Sequence, residues 1–268
     1  MKNSNARIAR YLSILCLQAT VCCPWASAAP AVGTFPALPA AVLQTVTPAG
    51  YKVDAAIGLS KTGGGSRQYL LALSDQIADD SNSAEIPEKV PMVLLARMDK
   101  TLVVQDQVLL HSSGEDDTGN TPNYFTKMSA EDVGAGKLYL LTSMQFGGGS
   151  GSEHFFDFYR VHNDKLQLMK SFSHGRMQRP YFAIYQNAIY DGKLHCERGE
   201  KHGKAYIYTC RIDVTKYVYD GAAVRAIGTQ PMRIRQGNRY LSDSYWFVSV
   251  SKALRNKEIF SEAAIATK

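Results

Sequence analysis

Apolar and polar residues alternate through most of this chain with the period of two that belongs to β-strands. Tyr51, Val53, Ala55, Ile57 and Leu59 take every second position of the first such run. The segment 61–67, KTGGGSR, reads as a turn and 68–73 as the return strand. After a polar loop at 74–89, the runs 92–98 and 101–111 flank Asp99-Lys100, a hairpin signal. The stretch 112–122, SSGEDDTGNTP, is loop by composition.

The same grammar returns farther along. Strands are expected at 138–146 and 154–161 around the turn GGGSGS, and at 166–173 after Asn163-Asp164-Lys165. Further strands are expected at 181–185, 194–197, 205–213 and 217–219, then at 222–227 after Asp220-Gly221, with a last one at 245–250. A short helix is expected within 251–266. Short strands at regular spacing, with no long helical periodicity, predict an all-β fold. The expectation is antiparallel hairpins forming a propeller-like or sandwich domain with a short C-terminal helix. The string GGGS recurs at 63–66 and 147–150, each time between apolar strands. It reads either as an internal repeat or as two independent hairpin loops.

The first 28 residues break this pattern. Lys2, Arg7 and Arg10 precede an apolar run at 11–23, and Ala26-Ser27-Ala28 supplies small residues. This is the form of a bacterial secretory signal cleaved after Ala28, and its apolar run is too short to cross a bilayer. A lipid-anchored alternative would need a small residue before Cys22 or Cys23, where Val21 and Cys22 stand. The expected location is the periplasm, with secretion into the medium as the alternative. Residues 29–45, with Pro30, Pro36 and Pro39, read as an extended Pro/Ala leader. Residues 46–268 read as one β-rich domain with no membrane span.

Cleavage of the signal changes the chemistry of the mature chain. Three of the five cysteines, Cys16, Cys22 and Cys23, lie within the signal, which leaves Cys196 and Cys210. In an oxidising compartment two cysteines on one hairpin are expected to form a cross-strand disulfide. The alternatives are free thiols, or a zinc site completed by His195. Removing Lys2, Arg7 and Arg10 from 30 basic residues leaves 27 against 24 acidic ones. The balance is uneven: nine basic and fifteen acidic residues at 29–160, eighteen and nine at 161–268. Either two parts of one surface differ, or the second half presents a basic face to an acidic partner. The densest basic segment makes Arg233, Arg235 and Arg239 candidate partner-binding residues. Export argues against nucleic acid as that partner.

Catalytic signatures fail on residues they require. Gly148-Gly149-Ser150-Gly151-Ser152 lacks the final glycine of a nucleophile elbow. Residues 199–205 are one short of a phosphate-binding loop and lack its Ser or Thr, so a hairpin tip explains them better. The six histidines form neither a His-x-His nor a His-x-x-x-His pair. Glu115-Asp116-Asp117 lacks the alternate spacing of an EF-hand. Asp157 is a candidate for a glycosidase carboxylate pair, though its alternation with aromatics suits an outward-facing strand residue. Phe155, Phe156, Phe158 and Tyr159 read as core and cross-strand pairs, with a carbohydrate-stacking platform as the alternative. The sequence thus assigns no catalytic residue, no metal and no cofactor.

The segment FGGGSGSEHFFDFYRV at 146–161, with its polar turn and the strand at 166–173, resembles hairpins of exported bacterial proteins with propeller-like β repeats. The resemblance implies a fold and carries no activity. The expected function is that of an exported, non-enzymatic binding protein for a toxin or hydrolase with an acidic surface. Periplasmic immunity proteins and lysozyme inhibitors are analogous at the level of class. The alternative is a periplasmic hydrolase or carbohydrate-binding protein acting on cell-wall or glycan material.

Overall fold

The structure, a computed structural model, describes residues 38–59, 66–76, 89–110, 123–146, 152–202, 205–233 and 249–260. The chain divides into Met1–Phe35 and Pro36–Lys268, and the expected signal lies outside the described residues. Among the described residues twelve strands form three antiparallel meanders. The first comprises β1 (Tyr51–Gly58), β2 (Arg67–Asp75), β3 (Met92–Met98) and β4 (Leu102–Leu109). The second comprises β5 (Asn123–Val133), β6 (Gly136–Phe146), β7 (Ser152–His162) and β8 (Lys165–Gly175). The third comprises β9 (Phe182–Tyr185), β10 (Ala188–His202), β11 (Ala205–Tyr219) and β12 (Val224–Arg233). Each sheet keeps its strands in sequence order, and none closes into a barrel. The all-β, sandwich-like expectation holds.

The second sheet is the middle layer, because its two faces belong to different cores. Leu141, Tyr159 and Leu166 pack with Leu70, Ala72, Val93 and Leu95 of the first sheet. Leu140, Phe156, Phe158 and Phe172 pack with Ile189 and Tyr219 of the third. On that second interface the Phe156 and Phe182 rings stack with centroids 4.0 Å apart, and Phe158 meets Phe172 edge-on at 6.0 Å. Adjacent residues of one strand point to opposite faces. A strand such as β7 must therefore be apolar at consecutive positions when both faces are covered.

Both outer faces are capped by short helices. Helix α1 (Ala40–Gln44) brings Val42 and Leu43 onto the far side of the first sheet, beside Tyr69, Leu71 and Leu94. Helix α2 (Val250–Arg255) brings Val250, Ala253 and Leu254 onto the far side of the third, beside Tyr190, Ile212 and Val214. The Ser249 Oγ caps α2 by accepting from the Lys252 N–H. The end of the leader is thus a helical turn, not extended chain: Pro39 starts it, and Val42 and Leu43 pack, partly buried, against the sheet. Of the strand expected at 245–250, residues 245–248 lie outside the described residues, and Val250 begins the helix.

Other departures have local causes. β5 escapes detection because a bulge between Phe125 and Lys127 breaks its period of two. β11 is one strand of fifteen residues where two are expected, with a register shift between Lys216 and Tyr217 at the apparent break. The turns at Asn163-Asp164 and Gln186-Asn187 hold positive φ at both central positions, the form that suits two-residue hairpins. Gly134, at φ +57°, joins β5 to β6 and donates its N–H to the Asn187 carbonyl at 2.7 Å. A Cβ there would overlap the Tyr219 carbonyl oxygen, so only glycine lets this turn dock on the third sheet.

Candidate functional site

Two features stand out from the layered core, and both belong to β10 and β11. These strands are fifteen residues long, far longer than their neighbours need. β9 pairs only with Ala188–Asp191 of β10, and β12 only with Arg211–Tyr219 of β11. Beyond those pairs, among the described residues, the two strands pair with each other as a two-stranded ribbon. Cys196 and Cys210 face each other in register, their Cα atoms 4.1 Å apart, and are joined by a disulfide. That spacing suits a pair without direct hydrogen bonds, where side chains come closest. The next register pair inward is His195 and Arg211, and Arg211 also pairs with Arg233 at the end of β12. The bond therefore clamps the ribbon one register step beyond the last described pair of β11 with β12.

The ribbon base is rich in charge. Asp213 receives Arg211 Nε at 3.2 Å and has the His195 Nε2 at 3.5 Å. Between the cysteines the sequence places Arg198, Lys201 and Lys204 against Glu197 and Glu200, together with Tyr206 and Tyr208. Of the candidate partner-binding arginines, Arg233 closes β12 one register step from the disulfide, while Arg235 and Arg239 lie outside the described residues. Both cysteine sulfurs are consumed by the disulfide, which removes the thiolates a zinc site with His195 requires. Of residues 199–205, read as a hairpin tip, 199–202 end β10 and Ala205 begins β11, while 203–204 lie outside the described residues.

The second feature is a cleft at the mouth of the interface between the second and third sheets. Its volume is about 410 Å³, and its lining includes Lys170, Phe172, His174, Gln178, Asp191, Lys193 and Tyr217. Alternation explains the convergence. Lys170, Phe172 and His174 share one face of β8, and Asp191 and Lys193 share the facing side of β10. His174 Nε2 lies 2.7 Å from Asp191 Oδ1, with both side chains buried. A carboxylate oxygen only accepts, so this nitrogen donates in the contact. Burial raises the Tyr217 phenol above its ordinary value and the Asp191 charge adds to that, while a hydrogen bond with Thr215 opposes it. Lys170 Nζ stands 5.4 Å from the centre of the Tyr217 ring and 5.8 Å from that of Phe172.

Residues considered for carbohydrate chemistry lie elsewhere. Asp157 does not face outward: it is 0% exposed and accepts from Ser171 Oγ at 2.5 Å. Its neighbour Tyr159 is raised by burial, with the Asp157 charge adding to the effect. Phe155, Phe156, Phe158 and Tyr159 are all buried, so they form core and leave no stacking platform. The alternation around Asp157 is real, but a middle layer has no outward face. Ser150 and the acidic loop at 115–117 lie outside the described residues. The His174–Asp191 pair escapes sequence reasoning because its members are 17 positions apart on separate sheets. Among the described residues no group of three or more His, Cys, Asp or Glu is disposed to hold a metal, and no helix is long and apolar enough to cross a membrane. No protein-family model, curated protein or solved structure matches the chain.

Proposed function

We propose that this is an exported binding protein without enzymatic activity, which uses the β10–β11 ribbon to block a toxin or hydrolase in the periplasm. The ribbon carries the reading. A two-stranded hairpin is marginal in water without a third strand or a core beneath it. Here such a hairpin runs beyond the pairs that β9 and β12 make among the described residues, and a covalent bond holds its base. That arrangement presents residues in a preset conformation, which lowers the entropy lost when a partner binds. Tyr and Arg, the residues that dominate protein interfaces, are the ribbon's own. The secretory-type N-terminus supports the same compartment as the disulfide.

The partner is expected to be acidic. Arg233, with Arg235 and Arg239 following it in sequence, adds positive charge next to the ribbon base. Charge of this kind steers association more than it sets final affinity. Three forms of the oxidised protein from residue 29 test the reading against periplasmic and secreted fractions of the producing cell. These are the native chain, Cys196→Ser with Cys210→Ser, and the triple change of Arg233, Arg235 and Arg239 to Ala. The expected result is one stoichiometric hydrolase or toxin whose activity the native chain abolishes and the cysteine variant does not. The arginine variant should associate about tenfold more slowly and lose most of its salt dependence. Retention of glycan or peptidoglycan fragments with no protein would overturn the reading in favour of a hydrolase or carbohydrate binder. A partner held equally well by the cysteine variant would remove the ribbon from it.

A further inference from the structure

We propose that the cleft between β8 and β10 is a binding site for a small, compact anion bearing a carboxylate or a phosphate. This goes beyond the ribbon's role and does not rest on it. Four ionisable groups other than the phenol line the cleft: Lys170, Lys193, His174 and Asp191. Among the described lining residues Asp191 supplies the negative charge; it is fixed in place by His174 at 2.7 Å and offsets one of the two lysines. The two lysines outnumber it and leave the lining net positive, and Gln178 and Tyr217 add neutral polar groups. A net positive lining with neutral donors around an aqueous volume is complementary to an anion.

The same geometry sets the ligand's size and shape. A volume of about 410 Å³ lies near the lower end of small-molecule sites, which run from roughly 300 to 1,000 Å³. The aromatic faces in the cleft are already taken, since Lys170 Nζ covers both Phe172 and Tyr217. A sugar or aromatic ring would have to displace that ammonium group to stack. An anion meets no such cost, and adds to the field already holding Lys170 in place. The ring faces and the ligand thus hold Lys170 from two sides. Lys193 is exposed on β10, adjacent to the start of the ribbon, and is the more adaptable of the two cations.

The test is an NMR titration of the oxidised protein from residue 29, with sodium phosphate and with sodium malonate in separate arms at constant ionic strength. The expected result is a saturable shift of the His174 and Tyr217 resonances with at least one probe. Which probe saturates identifies the ligand as phosphate-like or carboxylate-like. Lys170→Gln with Lys193→Gln should weaken binding at least about tenfold. Lys193→Gln alone alters only an exposed side chain, so the fold is kept, and it should weaken binding about threefold. Arg225→Gln, at a separate exposed ion pair with Asp220, should leave binding unchanged. Shifts that fail to saturate with both probes would overturn the proposal. So would equal affinity in the native protein and in the Lys193→Gln variant. Partner capture by the ribbon is read separately and does not bear on either outcome.

Discussion

Asp106 on β4 shows how a single carboxylate ties two layers together. Its Oδ1 accepts from Lys165 Nζ at 3.1 Å, and its Oδ2 from the Leu166 N–H at 2.8 Å, both at the start of β8. Burial by itself would raise this carboxyl. The Leu166 N–H and the Lys165 ammonium outweigh burial and hold it below the usual carboxylate range. A group whose folded value is lowered stabilises the fold fully above its unfolded value, and loses that contribution as pH falls through the folded one. Asp106→Asn should therefore cost about 1 kcal/mol near pH 7, a modest figure because water still reaches the pair. The difference from the native chain should shrink as pH falls below the ordinary carboxylate range. Paired urea melts at several pH values measure this, and a constant difference across the range would refute it. Nothing in the local sequence marks Asp106, because its partners lie about sixty positions away.

At the scale of elements, the disulfide and the ribbon form one unit. Cys196 and Cys210 were legible as a cross-strand pair, since their spacing of 14 residues suits one hairpin. The length of β10 was not legible: Tyr190, Asp191, Gly192 and Lys193 break the apolar pattern, yet all are paired with β11. Neighbouring strands impose extended conformation where alternation does not. Closing a loop of this size contributes about 3 kcal/mol, mostly by restricting the opened state. The gain falls on the ribbon, which pairs with no third strand among the described residues. Cys196→Ser with Cys210→Ser should thus speed amide exchange at 197–209 about a hundredfold. Exchange at β6 and β7 should stay unchanged. Equal acceleration throughout would mean that the bond supports the entire fold.

At the scale of the whole molecule, the described sheets are coupled through the middle one. Phe158 is 0% exposed between the second and third sheets, against Phe172 and Phe182. Phe158→Ala should cost about 4 kcal/mol through lost burial and the cavity left behind. Chemical denaturation should show the midpoint falling with the slope preserved, the mark of sheets that unfold together. A second transition would instead show that they separate. The chain's own pattern determined that this protein is built of short antiparallel strands, where many of its hairpins turn and which cysteines meet, because alternation, turn residues and pairing act over short separations. Tertiary structure alone decided which faces are covered. It put Asp157 inside and joined His174 to Asp191. It also folded the end of the leader into a cap. The physical reason is that period two tells which residues share a face, while the layer that covers that face comes from residues far away in the chain.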